Sequence, residues 1–132
     1  MLDFNVPVEM IFKKKGKTSK RLLSFNLICS FINPFQRNKF KQDYHEFIIK
    51  HLPQTEQIKG KYRIEYRYFY KKENSDGANV ISILSKSLND TLVELEIVEE
   101  DNVKFCIGES WEVAKKVKKE EEAYVNVKVI GV

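Results

Sequence analysis

Carboxylates are the side chains whose spacing admits chemistry here. Asp76 stands in the turn Glu73-Asn74-Ser75-Asp76-Gly77, Asp90 follows on a helical segment, and Glu99-Glu100-Asp101 come just after it. Acids of this kind are the ligands that a hard divalent cation takes. Mg2+ held by them activates water and neutralises charge building on a phosphate, which is the chemistry of phosphodiester hydrolysis. An acidic run at a helix end is equally an ordinary solvated surface. Other constellations are absent, since the sequence has no G-x-x-x-x-G-K-[ST], G-x-G-x-x-G or H-E-x-x-H. His45 and His51, six apart, fall on different helix faces and are expected at the surface. Cys29 and Cys106 are too few for a disulfide framework or a four-ligand zinc site, and they are expected as buried free thiols.

The cations are distributed unevenly. Residues 1–72 hold 16 Lys and Arg against 6 Asp and Glu, and residues 73–132 hold 7 against 13, together the net charge of +4. A basic half and an acidic half suit a protein that attracts a polyanion with one surface and gathers carboxylates on another. Lys13, Lys14, Lys15, Lys17, Lys20 and Arg21 surround Gly16 in what reads as a mobile basic turn. Arg37, Lys41 and His45 follow an i, i+4, i+8 course along one helix face. Such residues are suited to contacting phosphates without reading bases. A solubilising loop is the plainer alternative. Tyr62, Tyr66, Tyr68 and Tyr70 could stack on unpaired bases but are expected in the core or a dimer interface, and Trp111 is expected to be packed.

These residues need elements to position them. Val6 to Phe12 alternates as an edge strand, with Pro7 near its start. Leu22 to Ile32 is apolar without a clean period and reads as strand or irregular. Asn33-Pro34 is an N-cap followed by Pro at the first helical position. Phe40, Tyr44, Phe47 and Ile48 then form one stripe, predicting a helix from about Pro34 to Lys50 that Pro53 ends. Tyr62 to Tyr70 alternates strongly as a strand. A second helix is expected from about Ala78 to Leu95, burying Ile81, Leu84, Leu88, Leu92 and Leu95, with Asn79, Ser82, Lys86 and Asp90 on its polar stripe. Strands from about Val103 to Val113 and Ala123 to Val129 follow, joined by the charged connection Lys115 to Glu122. The order β(β)αβαββ predicts an α+β fold: one domain over residues 1–132, with a small mixed sheet packed against two main helices.

Asp76-Gly77-Ala78-Asn79, a helix carrying Lys86 and Asp90, and Glu100-Asp101 before a strand resemble, in order and spacing, the RusA-type Holliday-junction resolvases, chiefly their phage-borne relatives. Leu23-Ser24-Phe25-Asn26 is similar to the Ser-x-Asn segment of that family, and Arg37 to Tyr44 to its basic-aromatic helix, so the likeness spans about residues 20–130. The resemblance implies a homodimeric, Mg2+-dependent endonuclease that resolves four-way DNA junctions by paired nicks in recombination, repair or phage DNA processing. It assigns metal binding to Asp76, Glu100 and Asp101, with Asp90 and Lys86 assisting catalysis, and DNA contact to Asn79 beside the basic residues. Two positions depart from the family pattern. Ala78 stands where a second Asp precedes the Asn, and Ser82 where the family carries a lysine, Lys86 lying one further turn along.

Geometry sets its own condition on this site. A helix over 79–95 is about 24 Å long, and the six steps from Leu95 to Asp101 span at most about 20 Å. Asp76 and Asp101 are expected within reach of a shared metal, in one subunit or across a dimer. With 132 residues, 42% hydrophobic, nine Phe and six Tyr, the chain has material for one core, which excludes general disorder. No run approaches the roughly 18 uncharged apolar residues of a membrane span, and Met1-Leu2-Asp3 opens no apolar signal core, so a cytoplasmic protein is expected. Two alternatives stay open: a DNA-junction-binding relative disabled by Ala78, and a plain protein-interaction module using the acidic half.

Overall fold

The computed structural model describes residues 1–14, 16–31 and 33–132. In chain order the elements are β1 (Leu2–Pro7), β2 (Glu9–Lys14), β3 (Lys17–Leu22), α1 (Phe25–Cys29), α2 (Pro34–His51), β4 (Tyr62–Tyr70), α3 (Gly77–Glu94), β5 (Cys106–Lys116) and β6 (Tyr124–Gly131). This is an α+β architecture with two sheets, one four-stranded in the order β1-β6-β4-β5 and one the two-stranded hairpin β2-β3.

Alternation builds the larger sheet. In β4, Tyr62, Ile64, Tyr66 and Tyr68 are buried on one face while Arg63 and Arg67 are exposed on the other. In β6, Val125, Val127 and Val129 lie opposite Tyr68, Tyr66 and Ile64 in antiparallel register. β1 adds Leu2, Phe4 and Val6 to the same face, antiparallel to β6. β5 runs parallel to β4, so α3 is the crossover between them. The sheet is therefore mixed, as the sequence predicts.

The two long helices cover this apolar face. Asn33 caps α2 by accepting from Phe35 N at 2.8 Å, Pro34 opens it, and Phe40, Tyr44 and Ile48 are buried. The Tyr44 hydroxyl is buried with no hydrogen-bond partner among the described residues. α3 buries Ile81, Leu84, Leu88 and Leu92, the expected stripe, while Leu95, just past its end, is exposed. No described helix is long and apolar enough to cross a membrane.

The N-terminal quarter departs from the expected pattern. The strand expected over Val6–Phe12 is broken at Val8 into members of two different sheets: Val8 N donates to Ala123 O at 3.2 Å, and Val8 O accepts from Leu23 N at 2.7 Å. The basic segment is a hairpin rather than a loop, with Lys14 opposite Lys17, Met10 opposite Arg21, and Gly16 at a φ of 76° in its turn. After β3 the chain forms the short helix α1 instead of the strand or irregular segment expected over Leu22 to Ile32. Cys29 at its end is exposed and Cys106 half-buried, so neither is the buried thiol expected. β5 starts at Cys106 rather than Val103, because Asn102 makes a turn. Its side-chain oxygen accepts from Lys104 N at 3.1 Å, and its carbonyl from Phe105 N and Cys106 N at 3.0 and 2.9 Å.

Candidate functional site

The acidic motif sits at the N-terminus of α3. Asp76 is its N-cap: one carboxylate oxygen accepts from Asn79 N at 3.3 Å and the other from Asn79 Nδ2 at 3.0 Å. The carboxylate is exposed and so stays open to further partners. Ser75 beside it accepts from the Tyr68 hydroxyl at 3.2 Å, which fixes this end of α3 against the last residues of β4. Gly77 lies under Trp111, and a Cβ there would meet the indole ring at 2.8 Å. Ser82, one turn further along α3, donates to Asn79 O at 3.3 Å.

Asp101 lies at the opposite end. After α3 the chain is pinned at once, since Ile58 N donates to Ile97 O at 2.7 Å and Val98 bridges Ile58. Asp101 follows near the starts of β4 and β5, where its charge helps to raise the Tyr62 phenol and the Cys106 thiol above their ordinary ranges, behind the larger effect of burial on each. Tyr62 and Tyr68 are six residues apart on β4, about 20 Å, and α3 itself is about 27 Å long. Asp76 and Asp101 of one chain therefore do not reach a shared ion. Among the described residues no three His, Cys, Asp or Glu side chains are grouped to hold a metal. The donors have the right hardness for Mg2+, but a single protomer does not bring them together. Glu100 is exposed beside Asp101.

Lys86 and Asp90 pair with each other at 3.4 Å along the exposed side of α3. Lys86 is ten residues, about 15 Å, along the axis from the Asp76 cap, one turn further than Ser82 and away from that end of the helix. Lys86 instead shares a small cleft between α2 and α3 with Lys41, His45 and Asp90. His45 contacts Thr91 Oγ1 through Nδ1 at 2.8 Å and Glu94 through Nε2 at 3.1 Å, which makes it a bridge between the helices rather than a free surface residue.

The basic residues divide. Lys17, Lys20 and Arg21 are exposed on β3, and Lys13 and Lys14 belong to the backbone of β2; Lys15 lies outside the described residues. Lys20 is bound to Glu122 of the β5–β6 connection, which holds its ammonium above the usual lysine range and neutralises it locally. Arg37 is exposed on the first turns of α2, its Nε donating to Phe31 O.

One polar residue escapes sequence reasoning. Glu109 of β5 accepts from the Tyr66 hydroxyl at 2.6 Å, from Ser85 Oγ at 2.9 Å and from Asn89 Nδ2 at 3.1 Å. Asn89 accepts in turn from the Tyr62 hydroxyl at 2.8 Å. Burial first, and then the Glu109 charge, push the Tyr66 phenol well up. Glu109 lines an open groove of about 330 Å³ between α3 and β5, together with Ala78, Ser82, Ser85 and Trp111. Finding it requires the parallel register of β5 on β4, which pairs Ile64 with Glu109 and which no local pattern encodes. No protein-family model and no curated protein matches the chain.

Proposed function

We propose that the chain is an endonuclease of the RusA type that acts on four-way DNA junctions as a homodimer. Three features support the reading: the order of elements, the basic hairpin projecting Lys17 and Arg21, and the exposed acids at both ends of α3. The observation that carries it is the polarity of α3, with Asp76 capping one end and Glu100-Asp101 following the other. A cation that needs both acids has to be held between two copies, which matches the two-fold symmetry of a junction cut by paired nicks. The protein's own cations attract and hold the phosphates, a sequence-independent contact that weakens steeply as salt rises.

A second reading has its own observation. Ala78 is exposed where the family has an acid, and Ser82 brings no charge to its turn, which favours a protein that binds junctions without cutting them.

Labelled four-way and linear duplex DNA, incubated with the protein in Mg2+ or chelator, separates the readings. Nicking of the junction in Mg2+ alone is the expected result. Asp76→Asn and Asp101→Asn should each abolish it, and mixing the two inactive variants should restore it, because a mixed dimer keeps one complete pair of acids. Binding without nicking selects the second reading. Loss of both leaves only the interaction module.

A further inference from the structure

We infer that the groove between α3 and β5 binds an unpaired nucleobase, with Trp111 as its stacking wall and Glu109 as the acceptor for an exocyclic amino group. The inference rests on the DNA-binding reading and adds to it a base-contacting site. Trp111 is the single tryptophan of the chain and is 44% exposed, although it is large and apolar. Its ring is seated against Gly77, at the start of the helix whose cap is Asp76, so the groove opens beside the acidic motif. An exposed indole held in place is a platform for any planar base, since every base has a π-face.

Glu109 gives the groove its selectivity. Its Oε1 receives Tyr66, Ser85 and Asn89, whereas Oε2 receives only the shared hydroxyl of Ser85 among the described residues. The carboxylate is thus fixed in orientation by three donors, one from β4 and two from α3, yet it remains exposed and keeps acceptor capacity on one oxygen. A fixed acceptor-only group matches the amino groups of cytosine, adenine and guanine, which thymine lacks. The groove volume of about 330 Å³ lies at the lower end of the range for small-ligand sites, about 300–1,000 Å³. Serines and an aliphatic floor complete it, with no lysine or arginine in its lining, so the phosphate is left to the basic residues elsewhere.

Because Trp111 is the only tryptophan, its emission reports on this groove directly. Titration of the full chain with dCMP, dAMP, dGMP and dTMP should give saturable quenching, with dTMP about tenfold weaker than the amino-bearing nucleotides, the worth of one hydrogen bond to a charged group. Glu109→Gln should level the four. Should that variant fail to fold, the shift of the Trp111 indole N–H resonance of the wild-type protein by dCMP, and not by equal dTMP, tests the same point. Equal quenching by all four nucleotides overturns the inference. So does quenching by the amine cadaverine without nucleotide preference, which would assign the groove to an ammonium group. Mononucleotides need neither a junction nor a second copy. Junction binding with unchanged Trp111 emission and resonance sinks the groove alone, whereas nucleotide quenching without junction binding sinks the junction reading alone.

Discussion

Asp76 combines two roles that mutation can separate. As N-cap it satisfies backbone and side-chain donors of Asn79, and removing such a cap costs about 1 kcal/mol. Asp76→Ala is expected to lower unfolding stability by about that amount in urea titration, whereas Asp76→Asn keeps an acceptor oxygen and should hold stability within about 0.5 kcal/mol. If Asp76→Asn is stable yet no longer nicks junctions, the missing charge and not the missing cap is responsible. This residue is legible in the sequence because a cap is local: an Asp three positions before an Asn, in a turn, at the head of an apolar stripe. Glu109 is illegible because its donors come from β4 and α3 and meet only after the sheet has assembled. Cys29 misleads for the same kind of reason. Its apolar neighbours in sequence suggest burial, and the outcome depends on which side of α1 packs inward.

Among the elements, α2, α3, β4 and β6 are readable from period and caps, and the hairpin is not. β3 has the sequence Lys-Thr-Ser-Lys-Arg-Leu, and all but its last residue are exposed, so no apolar alternation marks it as a strand. An isolated two-stranded ribbon is marginal in water. Here it is anchored by Phe12 stacked on Phe40 at 6.2 Å, by Leu22, Met10 and Phe12 packed on the core, and by the Lys20–Glu122 pair. Charge and stability are therefore separable within this element. The double variant Lys17→Gln, Arg21→Gln removes two exposed cations and is expected to change stability by less than about 1 kcal/mol. It should also flatten the dependence of log binding constant on log salt by about two, close to one for each phosphate that the protein no longer neutralises. Fluorescence anisotropy with labelled junctions at several salt concentrations measures this slope; an unchanged slope would remove the hairpin from the DNA interface.

At the scale of the whole molecule, the fold class and the succession of elements from α2 onward follow from the sequence, while the N-terminal hairpin, α1 and the order of strands in the sheet do not. Pairing of β5 with β4 and of β1 with β6 is set by packing between segments far apart in the chain. That packing has a consequence for pH. Burial raises the phenols of Tyr62, Tyr66 and Tyr68, so each stays protonated in the folded state above its ordinary value near 10. Below that value both states hold these protons and stability is unaffected. Above it the unfolded chain sheds protons that the folded chain retains, so stability falls as pH rises, by up to about 1.4 kcal/mol per pH unit for each phenol. The urea midpoint is expected to drop steeply between about pH 10 and 11; a flat midpoint would show that these hydroxyls reach water. One further consequence comes from β6 lying between β1 and β4. On the ribosome β1 emerges first and β6 after every other element, so Leu2, Phe4 and Val6 wait through almost the whole of translation without the neighbour that covers their edge. A nascent chain stalled before Tyr124 would present that edge to chaperones, and the sheet can close only once β6, one of its two inner strands, has cleared the exit tunnel.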